Sequence, residues 1–189
     1  MDYNIVKDFK EQLEKNKLNK ETIKPYLKAL TKLEYAILSL LHDSIRPLSI
    51  KQIRNEFIKD AKNVILFTSQ TTSEGKPIKE KPKDYLDLDF FEFNFESIKD
   101  LEIDIKNTMI EAKNNDFSES FILEKINKIL SNKSRIRIPS FGAIQKSMNE
   151  LINWNIVIKR AIESKKINAL YLVNPKIDII LMGLNKIRK

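Results

Sequence analysis

One stretch limits what this chain can fold into more than any other, namely SFGAIQKSMNELINWNIVIKR at residues 140–160. Ser140 follows Pro139 and precedes aliphatic side chains that recur at helical spacing, so it is predicted to cap a helix. Trp154 and Asn155 close that helix, because asparagine tolerates the left-handed conformation that ends many helices. A β-type run follows at once. The stretch therefore predicts a capped helix that turns directly into a strand.

The residues around this helix predict the rest of a small motif. After it, IVIKRAI and NALYLV are two β-type runs separated by ESKKI, which is typical of a β-hairpin with a lysine-rich tip. Before it, SESFILEKINKILSN predicts an amphipathic helix and RIRI a short strand. The predicted fold class is therefore mainly α with small β-hairpins (α+β).

A family resemblance appears in the same residues. The pattern SxxxIxxxMxxLxxWNIVxKR over residues 140–160 resembles the recognition helix and first wing strand of winged helix-turn-helix DNA-binding proteins. The segment YLVNPKIDIILMG at residues 171–183 is also similar to the hairpin exit of some plasmid replication proteins. The resemblance implies a recognition helix at residues 140–152 and a basic wing at residues 156–173. Asn155 stands where such proteins usually carry glycine.

Two arrangements of the remaining helices are open. In the preferred one, residues 98–113, 118–131 and 140–152 supply the three helices. In the other, TKLEYAILSLLHDSIRPLSIKQIRNEF supplies the first two, and residues 63–134 are a long insertion. Because that N-terminal pair itself looks like the start of a helix-turn-helix, a tandem protein is a further alternative.

The chain is predicted to divide into three regions. Residues 1–67 are helical and contain the N-terminal candidate helix-turn-helix, with Thr31 and Ser49 as helix caps and Pro25 tolerated only in a first turn or at a kink. Residues 68–84 lack apolar periodicity and are interpreted as an exposed linker or hairpin tip. Residues 85–189 run from an acidic strand and helix into the C-terminal winged helix.

The acidic strand is the sequence DYLDLDFFEFNFES, in which apolar residues alternate with polar ones. Asp87 and Asp89 resemble the metal-binding strand of primases and other two-metal polymerases. That chemistry needs a further carboxylate and, in primases, a histidine on a neighbouring strand. Neither is identifiable after Asp89, so the solvent face of a strand is preferred. Residues 85–95 are the candidate contact for a protein partner.

Charge is distributed unevenly along the chain. Residues 84–124 contain 3 lysines and arginines against 12 acidic residues, whereas residues 125–189 contain 14 against 3. The basic segment, residues 125–189, favours binding to a polyanion, although an ordinary soluble surface rich in lysine is the alternative interpretation. The acidic block is expected to lie away from DNA.

Several classes of protein are disfavoured by what the sequence lacks. There is no cysteine and a single histidine, and no nucleophile–base set, phosphate loop or metal cluster is evident, so neither an enzyme nor a metal or other cofactor is predicted. No apolar run approaches the ~20 residues of a membrane span, and the N-terminus does not resemble a signal peptide. A cytoplasmic, nucleoid-associated protein is expected.

Candidate DNA contacts follow from the predicted helix and hairpin. Gln145, Lys146 and Asn149 lie off the apolar stripe and are candidates for base edges, with Ser147 as a further one. Ser140 suits a phosphate at the helix N-terminus. The residues expected to clamp the backbone or minor groove are Arg135, Arg137, Lys159, Arg160, Lys165 and Lys166. Each of these polar side chains also has the plain interpretation of a solvated surface residue, whereas Trp154 is expected to be a core residue and His42 structural or exposed.

Two functional classes follow. The first is a homodimeric protein that binds double-stranded DNA, as a transcription regulator or as a plasmid or virus replication or partition factor. The amphipathic N-terminal helices are the expected source of its dimer contact. The second is a winged-helix protein-interaction module within a replication, transcription or repair complex.

Overall fold

The structure is a computed structural model of the chain, and it describes residues 3–68, 98–133, 138–160 and 169–184. Within these ranges the chain is mainly helical with one two-stranded antiparallel sheet, which confirms the predicted fold class. The helices are α1 (Tyr3–Glu14), α2 (Lys24–Ala29), α3 (Lys32–Asp43), α4 (Ile50–Thr68), α5 (Ile98–Asn114), α6 (Glu119–Lys133), α7 (Phe141–Asn153) and α8 (Pro175–Met182). The strands are β1 (Val157–Arg160) and β2 (Leu170–Val173). Among the helices described, none has the length and apolar character needed to cross a membrane.

The chain forms two compact units. The first unit joins Met1–Ile53 to Ser140–Lys189, and the second is Arg54–Pro139. The predicted regions, residues 1–67, 68–84 and 85–189, group the chain differently. Residues 69–84 of the predicted linker and the whole predicted acidic strand lie outside the described residues.

The first unit begins with the three helices α1, α2 and α3, and the sequence explains where α2 and α3 start. Helix α1 buries Val6, Phe9 and Leu13 on one face. In α2 the proline at position 25 falls in the first turn, as predicted. Thr31 caps α3, because its Oγ1 accepts a hydrogen bond from the Glu34 amide at 3.2 Å while Glu34 Oε2 accepts one from the Thr31 amide at 2.8 Å. This reciprocal pair satisfies two amides that a helix start leaves without partners.

In the first unit, a helix from the N-terminal part of the chain packs against α7 and the hairpin. Helix α3 packs against α7 and β2, and α7 packs against β1. Ser49 begins α4, since its Oγ accepts from the Gln52 amide at 3.3 Å. Helices α5 and α6 instead pack against each other within the second unit.

A backbone bridge ties the segment before α4 to the hairpin. The Leu48 amide donates to the Tyr171 carbonyl at 3.0 Å, and the Tyr171 amide donates to the Leu48 carbonyl at 2.9 Å. Tyr171 also pairs with Lys159 across the β1–β2 ladder. Leu48 thus forms a single-residue β-bridge to the edge of β2 that does not pair with β1.

The turn from α7 into β1 has the predicted form. Trp154 is fully buried and its ring meets that of Phe9 edge to face, with 5.4 Å between centroids. Asn155 has φ 59°, the left-handed conformation predicted for asparagine at this position. The join is therefore fixed by a buried aromatic pair and a single left-handed residue.

A helix follows β2 where the resemblance suggested only the exit of a hairpin. Asn174 caps α8, because its Oδ1 accepts from the Lys176 amide at 3.1 Å, and Pro175 occupies the first turn. Ile177 and Leu181 are buried. The same side chain also contacts the turn between α7 and β1, since Asn174 Nδ2 donates to the Asn155 carbonyl at 2.9 Å.

In the second unit, α5 and α6 pack together through stripes that are only partly apolar. Leu101, Ile105 and Ala112 of α5 are buried, and so is the polar Thr108, whereas Met109 is 41% exposed. Helix α6 buries Leu123, Ile126 and Leu130, whereas Phe121 is 42% exposed.

An ion pair joins α4 to the start of α6 within this unit. The Lys59 ammonium lies 2.8 Å from the Glu119 carboxylate. Their hydrogen bond lowers the pKa of Glu119 and raises that of Lys59. The pair is partly exposed to water, so its contribution to stability is small.

Candidate nucleic-acid interface

Helix α7 has one apolar and one polar face. Ser140 begins it, because its Oγ accepts a hydrogen bond from the Ala143 amide at 3.1 Å. Ile144, Met148 and Leu151 recur at helical spacing and are fully buried. Gln145, Lys146 and Asn149 are exposed on the other side. The predicted stripe therefore holds the helix in the core and presents the three predicted base-contacting side chains to solvent.

Two of these exposed side chains are joined. Gln145 Nε2 donates a hydrogen bond to Asn149 Oδ1 at 3.0 Å, across one turn of the helix. Residues four apart on a helix lie side by side, which places the two amides next to each other. Both are predicted site residues, but the sequence pattern contains no sign that they form a pair.

Ser147 does not belong to this face. It is predicted as a further candidate for a base contact, but its exposed fraction is only 8%. Its position between Ile144 and Met148 on the buried side explains this, because a helical turn places residues three apart on the same stripe. Ser147 is therefore not available on the exposed face of α7.

The start of α7 is open to close approach. Phe141 and Gly142 are exposed, and a Cβ added at Gly142 would have only Ser140 Oγ near it, at 4.0 Å. The first turn of a helix also points its free amides outward. A negatively charged group can therefore reach the backbone at this end of the helix without meeting a side chain at position 142.

Strand β1 carries two exposed cations immediately after the turn. Lys159 pairs with Tyr171 and Arg160 with Leu170 in the antiparallel ladder. Neighbouring residues of a strand point to opposite faces, so the side chains of Lys159 and Arg160 lie on opposite faces of the hairpin. Both remain exposed, as a contact to a phosphate backbone would require.

The structure adds a cation that no sequence pattern singles out. The Lys10 ammonium donates to Asn153 Oδ1 at 3.4 Å and so brings a charge from α1 to the last residue of α7. Contacts between residues so distant in the chain leave no local pattern. Lys10 therefore extends the basic character of this surface beyond the predicted residues.

Four of the predicted contact residues cannot be placed on this surface. Arg135, Arg137, Lys165 and Lys166 lie outside the described residues. The structure thus brings together Ser140, Gln145, Lys146 and Asn149 on one helix, followed by Lys159 and Arg160 on the adjoining strand. In the described ranges, no group of three or more histidine, aspartate or glutamate side chains is placed to hold a metal ion.

His42, the one histidine of the chain, has a structural contact. Its Nδ1 lies 2.6 Å from Asp178 Oδ1, and both side chains are partly buried. The pair links the end of α3 to the first turn of α8. This placement accords with the structural interpretation made from the sequence.

Comparison of the chain with protein-family models, with curated proteins and with solved structures found no match.

Proposed function

We propose that this chain binds duplex DNA, with α7 in the major groove and the β1–β2 hairpin against the neighbouring backbone. The observation that carries the proposal is the polar face of α7, where Gln145, Lys146 and Asn149 are exposed above a fully buried apolar stripe. An α-helix with its side chains is ~10–12 Å wide, which fits a major groove of ~12 Å. Amide and ammonium groups are the chemistry that reads base edges there.

The order of elements supports the same proposal. Helix α3, the single-residue pairing at Leu48, α4, α7 and the β1–β2 hairpin follow one another in the order of a winged helix with a long insertion after its second helix. In proteins of that kind the third helix is the reader and the hairpin is the wing. Under this proposal α7 is the recognition helix, and Lys159 and Arg160 lie on the first strand of the wing.

The division of charge between the two units also supports it. The unit that contains α7 carries 19 lysines and arginines against 10 acidic residues, a net charge of +9. The other unit carries 15 against 16, a net charge of −1. The whole excess of positive charge thus belongs to the unit with the candidate interface, as attraction to a polyanion favours.

Within this proposal, the chain acts as a transcription regulator or as a plasmid or virus replication or partition factor. It works in the cytoplasm, in association with the nucleoid. It is also proposed to bind as a homodimer, which would place two recognition helices about one DNA turn apart. The amphipathic N-terminal helices remain the proposed source of the dimer contact, and within them α1 buries Val6, Phe9 and Leu13 inside the chain. Light scattering that shows only monomer at tens of micromolar would count against the dimer.

Selection of bound sequences from a random duplex pool tests the proposal, followed by titration of the selected site and of an unrelated duplex. Gln145→Ala and Asn149→Ala are each expected to weaken the selected site by ~1–3 kcal/mol and to leave the unrelated duplex nearly unchanged, because base contacts specify. Lys159→Ala with Arg160→Ala should weaken both duplexes alike. The slope of the logarithm of the binding constant against the logarithm of the salt concentration should also become shallower, by about one unit for each phosphate that the variant no longer neutralises. The same behaviour is predicted for Lys165→Ala with Lys166→Ala.

Lys113→Ala is the matched control, since it removes an exposed lysine from the acidic helix α5 and should change neither duplex. If all these substitutions act equally on every sequence, α7 does not read bases. Absent or salt-insensitive DNA binding, with retention of one protein partner, would instead favour the protein-interaction module and its candidate contact at residues 85–95.

A further inference from the structure

We infer that Gln145 and Asn149 act together as one reader of a single A·T base pair, so that the ligand is duplex DNA with adenine at a fixed position under α7. This inference rests on the proposed function and deepens it, because it names the base. Its basis is the hydrogen bond between the two side chains, in which Gln145 Nε2 donates to Asn149 Oδ1 at 3.0 Å.

The hydrogen bond decides which polar atoms remain for a ligand. A glutamine or asparagine amide offers a carbonyl acceptor and an amino group with two protons. Once Gln145 Nε2 donates to Asn149 Oδ1, the Gln145 carbonyl keeps its acceptor capacity and the Asn149 amino group keeps both protons. The joined pair therefore presents an acceptor from Gln145 beside a donor from Asn149.

This order of acceptor and donor complements adenine. In the major groove, adenine offers its N6 amino group as a donor and N7 as an acceptor. Gln145 Oε1 can accept from N6 while Asn149 Nδ2 donates to N7. The two contacts together form the donor–acceptor pattern that one amide alone makes when it binds adenine bidentately.

The other bases match the pair less well. Guanine presents two acceptors, N7 and O6, so the Gln145 carbonyl would face O6 with no proton between them. Cytosine presents only its N4 donor, which leaves the Asn149 amino group without an acceptor on that base. Thymine places a methyl group beside its single acceptor. Lys146, which has only donors, is left for a guanine or a phosphate elsewhere.

The mutual hydrogen bond also prepares the pair for binding. Both side chains are exposed, and an exposed flexible side chain loses rotamer freedom when it is fixed in a complex. Here part of that ordering has already occurred in the free protein, since each amide holds the other. Two independent readers of two different bases would have no need of such a contact.

The test uses the full chain and the duplex selected from the random pool. Each adenine of that site is replaced singly by 7-deazaadenine, which lacks the N7 acceptor, or by unsubstituted purine, which lacks the N6 amino group. We expect one adenine at which either replacement weakens binding by about 10-fold or more, in keeping with the discrimination of a bidentate contact. Asn149→Ala should abolish the effect of 7-deazaadenine at that position, and Gln145→Ala the effect of purine.

A further variant keeps the shape of the site. Asn149→Asp retains an oxygen that can accept from Gln145 Nε2 but replaces the donating amino group by an acceptor, so the preference for adenine should disappear while the helix remains folded. Circular dichroism and the unfolding midpoint of each variant establish that folding is unchanged.

The outcomes separate the inference from the proposed function. The paired reader is overturned if the chain binds a specific site in which no adenine is sensitive to both replacements. It is also overturned if one adenine is sensitive only to loss of N7 and another only to loss of the N6 amino group. Either result leaves the proposed DNA binding intact. Failure to bind any duplex overturns both.

Discussion

Leu48 and Tyr171 exchange two backbone hydrogen bonds, of 3.0 and 2.9 Å, although they lie in opposite halves of the chain. Through this exchange the segment between α3 and α4 is held against β2, on the side that β1 leaves open. Both residues are buried, so their amides and carbonyls have little access to water and need these partners. Together with the packing of α3 against β2, the bridge ties the N-terminal helices to the hairpin.

Removing one donor from this bridge should cost measurable stability. Leu48→Pro eliminates the amide that donates to the Tyr171 carbonyl, and it leaves that buried carbonyl without its partner. We expect the free energy of unfolding to fall by about 1–3 kcal/mol, measured by urea denaturation.

Leu48→Met is the control, because it keeps the amide and nearly the same side-chain volume and should cost less than ~1.5 kcal/mol. Equal unfolding midpoints for the two variants would mean that the bridge contributes nothing.

Local signals are sufficient to predict where most helices begin. Thr31, Ser49 and Ser140 each stand just before an apolar helical pattern, and all three make the capping hydrogen bonds that such residues favour. The start of α8 carries an equally clear signal, asparagine followed by proline at residues 174–175. That helix is therefore also predictable from local chemistry, although the similarity to a hairpin exit suggests a different structure there.

The partners of α7 are not predictable in the same way. Periodicity shows which face of a helix is buried but not what buries it, so both sets of candidate partner helices satisfy the pattern equally. Contacts between distant segments, such as that of Leu48 with Tyr171, leave no local pattern from which a packing partner could be predicted. The contact between Lys10 and Asn153 is absent from any local pattern for the same reason.

The left-handed residue between α7 and β1 supports a second prediction. Asn155 has φ 59°, where a Cβ meets the following carbonyl oxygen and costs roughly 1–2 kcal/mol for most residues. Asn155→Gly should keep or slightly raise stability, whereas Asn155→Ala should lower it by about 1 kcal/mol. Thermal unfolding monitored by circular dichroism compares the two. If alanine is as stable as glycine, this residue is not left-handed in solution.

Stability at high pH should depend on Tyr26. Burial raises the pKa of Tyr26 to about 12, and its hydrogen bond to the Asp8 carboxylate acts in the same direction. The folded protein therefore holds the phenolic proton more tightly than the unfolded chain, whose tyrosine has a pKa near 10. The resulting contribution to stability is complete below about pH 10 and is lost as the pH rises towards 12.

Tyr26→Phe isolates this effect. At neutral pH it should lower the free energy of unfolding by about 0.5–1.5 kcal/mol, because the hydrogen bond to Asp8 is removed. Between pH 10 and 12 its unfolding midpoint should fall less steeply than that of the parent chain. Ultraviolet titration of the tyrosines provides an independent measurement, because the component with a pKa of about 12 should disappear in the variant.

The contact between His42 and Asp178 should stabilise the docking of α8 on α3. Their side chains are partly buried and 2.6 Å apart, so the two substitutions are not expected to act independently. A double-mutant cycle with His42→Ala and Asp178→Ala should give a coupling of about 1 kcal/mol. Additive losses would show that the two residues act on stability separately.

Gly142 offers a test in which stability and DNA binding move in opposite directions. It lies in the first turn of α7, and a methyl group there would have its nearest neighbour, Ser140 Oγ, at 4.0 Å. Gly142→Ala should therefore raise the free energy of unfolding, by up to about 1 kcal/mol, because glycine loses more backbone entropy than alanine when a helix forms.

The same methyl group would stand beside the first-turn amides of α7, where the proposed docking brings a phosphate. If the proposed docking is correct, Gly142→Ala should weaken selected and unrelated duplexes alike by several-fold, since a phosphate contact carries no sequence information. Gly183→Ala is the contrasting variant. Its methyl would meet the Lys20 side chain, which must move, and it should bring no gain in stability and no change in DNA affinity. A Gly142→Ala variant that is more stable and binds DNA as tightly as the parent chain would show that the N-terminus of α7 does not face the phosphate backbone.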